Sequence, residues 1–354
     1  MIDSVNKFLR EILQQPYALR NTLSFYMEEE GKEILAKISK QYWDRQFNHI
    51  IFTGMGSSFF TSYVASCLLS EYGIRSYVVN ASELLHYNFS ILRRDTLLVC
   101  VSQSGESFEI VRILQELPND VTCWGITNEP FSTLAQKISE VLLSKAGPEE
   151  MTSTKTFVST ALVILILSWS LSGQWNTIKA GEASWIIDGV ENMLQTRETW
   201  ISPIMDFLSD FTFLEIIGRG PSYSLALQGA LMFKEALRIP AEGILGGEFR
   251  HGPMEMVQKG FKAVVFAPVG KTYKQSIKMA SDIIKFGGKV ILITNKEIHL
   301  TGKNIHVIML PKTDEYLFSI PGIVPLQLTV DQWAKKRGIE PGRFTRGAKV
   351  TTIE

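Results

Sequence analysis

Val101-Ser102-Gln103-Ser104-Gly105-Glu106-Ser107 separates two segments of opposite character. Before it, Thr96 to Cys100 is an almost unbroken apolar run, which reads as a buried strand. After it, Phe108 to Leu117 carries apolar residues at 108, 110, 111, 113, 114 and 117, the spacing of an amphipathic helix. A strand, a tight turn of hydroxyl, amide and glycine residues, and a helix together make a place to hold an anion. The helix N-terminus offers unpaired backbone N–H groups and the positive end of its dipole. Ser102, Ser104 and Ser107 add hydroxyl donors, and Gly105 lets the backbone approach a ligand. No lysine follows the glycine, so the turn is not a Walker-type nucleotide loop. The ligand it implies is a phosphate on something smaller, such as a sugar. The competing reading is a plain capped helix, since serine caps helices widely. The turn alone leaves both readings open.

Outward from this turn the same pattern recurs. Ile50 to Thr53 reads as a strand, Gly54-Met55-Gly56-Ser57-Ser58 as a glycine turn, and Phe59 to Tyr72 as a helix. Strands at Ser76 to Asn80, Thr122 to Thr127 and Val141 to Leu143 complete a first half, with a helix starting at Ser132. A second half opens with a strand at Phe213 to Ile217, the turn Gly218-Arg219-Gly220-Pro221-Ser222 and a helix from Tyr223 to Ala236. Ala263 to Ala267, Val290 to Thr294 and Ile305 to Leu310 supply its further strands. Strands alternating with helices predict an α/β fold of parallel sheets covered on both faces. The repeated strand, Gly-x-Gly-x-Ser and helix suggests two related units, joined by helical sequence from Gly181 to Phe207. A dinucleotide fingerprint would need a third glycine and an acid ending the second strand. Phe59 stands where that glycine would be, and the second strand ends Val79-Asn80-Ala81.

Composition narrows the function classes. The 354 residues suffice for two or three domains. The 36 basic and 36 acidic residues balance, so no charge excess argues for nucleic acid or an anionic membrane. Cys67, Cys100 and Cys123 lie in apolar surroundings without metal-ligand spacing and read as buried small hydrophobes. His49, His86, His299 and His306 are scattered and form no metal set. The apolar stretch Ala161 to Leu171 is too short to span a bilayer, and the N-terminus has no signal pattern. The expectation is a cytoplasmic protein that uses no metal or cofactor, with neither nucleic acid nor membrane as a partner.

Several motifs resemble the double sugar-isomerase (SIS) domain family, whose members include the isomerase half of glucosamine-6-phosphate synthase. The first-half motifs are Gly54 to Ser58, Ala81-Ser82-Glu83, Ser102 to Ser107 and Ser153-Thr154-Lys155-Thr156-Phe157. Those of the second half are Gly218-Arg219-Gly220, Leu227 to Leu231, Lys234-Glu235, Ala241-Glu242 and Gly247 to Pro253. The lead-in Gln15 to Arg20 and the tail Ala348 to Glu354 are also similar. The resemblance implies two tandem SIS domains, each a flavodoxin-like three-layer sandwich. The boundaries it implies are a helical lead-in over 1–48, domains over 49–180 and 211–340, a linker over 181–210 and a tail over 341–354 that closes on the site. The glutaminase domain of the synthase carries a cysteine at position 2, where this sequence has Ile2. The expectation is therefore a stand-alone deaminase or deglycase of amino-sugar or amine-linked hexose 6-phosphates, not a glutamine amidotransferase. The alternatives are a simple phosphosugar aldose–ketose isomerase and a non-catalytic sugar-phosphate sensor.

Residue roles follow from the resemblance. Ser58, Ser102, Gln103, Ser104 and Ser107 would hold the phosphate, in agreement with the turn chemistry. Glu235 would be the base that moves a proton between C1 and C2, which requires a tuned carboxylate near the substrate. His251 would assist ring opening and reach the site of a neighbouring subunit, so a homodimer or higher assembly is expected. Lys349 matches the tail lysine that contacts the sugar. Ser153 and Thr154 would line the sugar site, and either Glu149 or Glu150 matches the family's acid before Ser-Thr-Lys. Met232 stands where the synthase has a lysine, a departure that bears on substrate and mechanism.

Overall fold

The computed structural model describes residues 5–351 and 353. In chain order the first half comprises α1 (Lys7–Leu13), α2 (Gln15–Met27), α3 (Glu29–Arg45), β1 (His49–Gly54), α4 (Gly56–Glu71), β2 (Ser76–Asn80), α5 (Ala81–His86), β3 (Thr96–Val101), α6 (Phe108–Glu116), β4 (Thr122–Thr127), α7 (Thr133–Lys137), β5 (Glu140–Leu143) and α8 (Lys155–Leu171). Next come α9 (Thr177–Gln195) and α10 (Arg197–Leu208). The second half comprises β6 (Leu214–Gly218), α11 (Tyr223–Leu237), β7 (Ala241–Leu245), α12 (Gly246–Arg250), β8 (Lys262–Ala267), α13 (Tyr273–Lys285), β9 (Lys289–Thr294), β10 (Ile305–Met309) and α14 (Val324–Arg337).

The strands form two five-stranded sheets with orders β2-β1-β3-β4-β5 and β10-β9-β8-β6-β7, parallel throughout. Numbered within each half, both have the order 2-1-3-4-5. In such a sheet the first connection runs to one side and the next to the other. A crevice is left outside the carboxyl ends of the first and third strands, where ligands bind. The fold is α/β with two such units, as the alternating strand and helix pattern predicts.

Contacts divide the chain into two units. One runs Gln14–Ser184 and takes in the chain from Phe344; the other holds α1 and Trp185–Arg343. In the first, β3 and β4 are fully buried, as their apolar runs require. One face packs Ile51, Leu98 and Cys100 against Ile110 and Ile113 of α6, with Leu84 and Leu134. The other face carries α4 and α8, which pack on each other. All of α8 except Ser170 is buried, so its continuous apolar sequence marks a central helix. In the second unit, Ile217, Val265 and Leu292 pack with Met279, Ala280 and Ile283 of α13. Ile216 faces Gly229 of α11 from the opposite side.

Several details depart from the sequence reading. The region read as one helical stretch after Gly181 is two helices, separated at Thr196. Strand β7 and helix α14 were not expected. Cys100 and Cys123 are buried with their Sγ atoms 3.8 Å apart, but Cys67 is only half-buried. No described helix is long and apolar enough to cross a membrane.

Candidate active site

The turn after β3 folds around its own hydroxyls. Ser102 is buried, and its Oγ accepts the Gly105 amide at 3.1 Å. Ser104 Oγ accepts the Glu106 amide at 3.2 Å. Gly105 has φ of +66°, and a Cβ there would lie 2.1 Å from Ser132 Oγ, so glycine is required twice over. Glu106 is directed away: its carboxylate accepts the amide and hydroxyl of Thr133, at 2.6 and 2.8 Å, and caps α7. The acid inside the turn is thereby occupied elsewhere.

Ser107 bears on both readings of the turn. It is the N-cap of α6, yet its side chain makes no capping hydrogen bond. Its Oγ lies 3.1 Å from Ser102 Oγ instead. The serines of this turn are therefore not a simple helix cap. The hydroxyls of Ser102 and Ser107 meet beside a helix N-terminus, after the carboxyl end of β3. Ser58 lies in the first turn of α4, which follows β1 and borders the crevice outside the ends of β1 and β3. Gln103 is half-buried, and its carbonyl is held by Asn128 N–H and Thr127 Oγ1.

A second polar cluster belongs to the same unit. The side chain of Glu149 is fully buried. Oε1 accepts the amides of Thr154 and Thr156 at 2.9 and 3.1 Å, and Thr154 Oγ1 at 3.1 Å. Oε2 accepts Thr156 Oγ1 at 2.6 Å and Lys349 Nζ at 2.8 Å. A carboxylate at the N-terminus of α8, with a cation on its other side, is well compensated for its burial. Glu149 is thus the acid of the Glu149–Glu150 pair that meets the tail. Thr154 is fully buried, with its hydroxyl on Glu149. Ser153 is half-buried, with Oγ 2.8 Å from Thr156 Oγ1. Lys349 also donates to the Met151 carbonyl at 2.8 Å. Two residues on, the Thr351 carbonyl accepts the Phe108 amide, the first of α6, at 3.0 Å. The tail is thereby fastened to both α8 and the helix of the serine turn.

Glu235 and His251 belong to the other unit. Glu235 is half-buried in the last turn of α11. His251 is exposed just after α12, its amide donating to the Glu248 carbonyl at 2.9 Å. Met232, on the same helix as Glu235, is fully buried and is a core residue. A feature the sequence reading missed is Glu215 in β6, fully buried with neither carboxylate oxygen partnered. Burial, then the charge of Glu242 on the neighbouring strand, pushes its pKa up to about 8. The Ile216 amide opposes the rise without reaching hydrogen-bonding geometry. The inward position of Glu215, two residues before Ile217 on the same pleat, was readable from strand alternation.

The SIS domain model matches this chain twice, over residues 45–168 and 214–332. The chain belongs to the SIS domain family. The glutamine–fructose-6-phosphate aminotransferase (isomerizing) of Pyrococcus horikoshii is 32% identical across 98% of this chain and 57% of its own length. The enzyme of the same name from Gloeobacter violaceus is 31% identical, again over 98% of this chain, and 58% of its own length. The SIS chain thus spans little more than half the length of these relatives. Among solved structures, the C-terminal domain of the Francisella tularensis glucosamine-fructose-6-phosphate aminotransferase superposes with a TM-score of 0.85 at 24% identity, covering 96% of this chain and 99% of that one. The Escherichia coli tagatose-6-phosphate ketose/aldose isomerase gives 0.80 at 18% identity, over 95% of each chain. The Thermotoga maritima glucosamine-6-phosphate deaminase gives 0.73 at 19%, over 98% of this chain and all of that one. These structural likenesses establish the shared fold.

Proposed function

We propose that this SIS-family protein binds a hexose 6-phosphate bearing nitrogen at C1 or C2 and removes the amine. In this reading the phosphate rests on Ser102, Gln103, Ser104 and Ser107, with Ser58 across the crevice. Hydroxyl and amide donors at a helix N-terminus suffice for such a group. Glu235 moves a proton from C2 to C1 of an open-chain 2-amino sugar, which turns the C2 amine into an imine. Water adds to that imine, the C–N bond breaks, and ammonia leaves a ketose 6-phosphate behind. For an amine carried on C1 the transfer runs from C1 to C2, and the amine leaves from C1. His251 of the partner subunit assists ring opening, which makes the working unit a homodimer or larger. Ser153 and Lys349 face the sugar, and Glu149 and Thr154 set the position of Lys349. No phosphoryl group is transferred, so the scheme calls for no nucleotide.

The observation that carries this reading is the Ser102–Ser107 hydroxyl pair. It stands at the switch point of the sheet, on a helix end that the side chain of its own N-cap residue does not cap. The relatives named for fructose 6-phosphate and the deaminase fold of Thermotoga maritima support the substrate class. The test is incubation with a panel of 2-amino and 1-amino-linked hexose 6-phosphates, with ammonia, free amine and hexose 6-phosphate read by NMR. Glu235→Gln should lower turnover by roughly 10²–10⁴-fold while binding survives. Near-normal turnover in that variant would remove Glu235 from the chemistry. Ketose–aldose exchange without amine loss would instead establish a simple isomerase.

A further inference from the structure

The second sheet has a switch point of its own, between the carboxyl ends of β6 and β8, and the charged side chains lining a cavity nearby are all cationic. Arg219 directly follows β6 and Arg250 ends α12, while Lys274, Gln275 and Lys278 lie in the first two turns of α13. These five side chains line a cavity of about 430 Å³, with no carboxylate among them. Asp282 pairs with two of them, Arg250 at 2.9 Å and Lys278 at 2.5 Å. Four cations against that single carboxylate leave three positive charges around the concavity. By contrast, the cavity of about 1160 Å³ at the amino ends of the first sheet's strands sets Asp44, Asp95 and Asp120 against Arg45, Arg93, Arg94 and Lys137, which leaves a single positive charge.

Arg219 is held in place for the purpose of facing this space. Its Nη2 donates to the Gly246 carbonyl at 2.6 Å. A Cβ on Gly246 would lie 2.7 Å from Arg219 Nε, so glycine at 246 is what lets the guanidinium lie there. Nε itself is buried and has no acceptor. Burial, and next the charge of Arg250, disfavour the charged form of Arg219. Two guanidinium groups drawn together in a partly desolvated hollow repel each other, and an anion between them relieves that repulsion.

We propose that this cavity is a second anion site that holds a phosphorylated small molecule independently of the serine turn. Its volume falls in the range of about 300–1,000 Å³ typical of small-ligand sites, larger than a bare phosphate needs. Where the first sheet offers hydroxyls and helix amides, the second offers arginine forks and lysine charges, which suit phosphate oxygens. The inference goes beyond the proposed reaction and does not depend on it.

The test uses the full chain with inorganic pyrophosphate as the probe, by calorimetry at low and moderate salt. The wild type should bind it at this cavity, and Ser104→Ala/Ser107→Ala should retain that binding even where a separate binding event at the serine turn is lost. Lys274→Glu/Lys278→Glu changes two exposed residues, and its fold can be verified by circular dichroism. It should weaken binding about tenfold or more. Lys259→Glu/Lys285→Glu, an equal charge reversal outside the lining, should bind nearly as the wild type does. Three results would overturn the proposal: no pyrophosphate binding by the wild type, loss of all binding in the serine variant, or equal weakening by the two charge reversals. The second would place the anion at the serine turn, and the third would mean general electrostatics without a site.

Discussion

Replacing Glu215 by glutamine should remove from the second unit a loss of stability of roughly 3 kcal/mol that the native protein suffers as the pH rises to 7. Glu215 is fully buried in β6, and its pKa stands near 8 against an ordinary 4.5. Below 4.5 the folded and unfolded chains both hold the proton, and no cost arises. Between 4.5 and about 8 the unfolded chain has lost it while the folded chain keeps it. Stability then falls with rising pH by about 1.4 kcal/mol per unit. At pH 7, some 2.5 units into the window, the loss is roughly 3 kcal/mol, and it levels off above pH 8. Glutamine keeps the shape of the protonated acid but cannot ionise. Its own burial cost is independent of pH, so it cancels when the difference between the two proteins is followed from pH 4.5 to 9. Urea unfolding read by hydrogen exchange on peptides from β6, β8 and β9 reports this sheet directly. The variant should gain on the wild type by roughly 3 kcal/mol between pH 4.5 and 7. Parallel pH dependences would refute the reasoning, because Glu215 would then titrate as a solvated acid does.

Three further outcomes test the site and its assembly. Ser104→Ala/Ser107→Ala should weaken hexose 6-phosphate binding by roughly 1–3 kcal/mol per lost donor, with the fold intact; wild-type affinity by calorimetry would withdraw the phosphate assignment. In a double-mutant cycle, Glu149→Gln and Lys349→Met should couple by roughly 1–3 kcal/mol in tail protection measured by hydrogen exchange, since the pair is 2.8 Å apart around a buried carboxylate. Strict additivity would mean that the tail is fastened by other contacts. Glu235→Gln and His251→Ala homodimers should each be nearly inactive, and refolded together they should recover about a quarter of wild-type activity. Half the dimers are then mixed, each with one intact site. No recovery despite demonstrated heterodimers would mean that both residues act within one chain.

What could be read in the sequence was local, and what escaped it was long-range. The strand, turn and helix around Ser102 to Ser107 are legible because burial on both faces of β3 forces a continuous apolar run, while the turn needs glycine at 105. That the Ser107 side chain makes no capping bond was not legible: the same residue caps or does not according to where the hydroxyl of Ser102, five positions earlier, lies. The choice between Glu149 and Glu150 was open for a similar reason. Only the chain path into α8 turns one of two adjacent acids toward the Thr154 and Thr156 amides, and its cation comes from 200 residues further on. Strand β7 escaped because Ala241–Leu245 includes Gly243 and sits at the sheet edge, half-exposed, where apolar alternation is weakest. Glycine is nonetheless required there, since a Cβ at 243 would meet the Ala226 carbonyl at 2.5 Å. Glu215 is the opposite case. Strand alternation assigns it an inward position beside Ile217, and an acid at such a position conflicts with the apolar pattern around it. A local conflict of this kind is where a sequence departs from what its fold alone demands. That makes Glu215, rather than the better-signposted serines, the residue whose titration most directly tests whether the interior of the second unit is as dry as its packing implies.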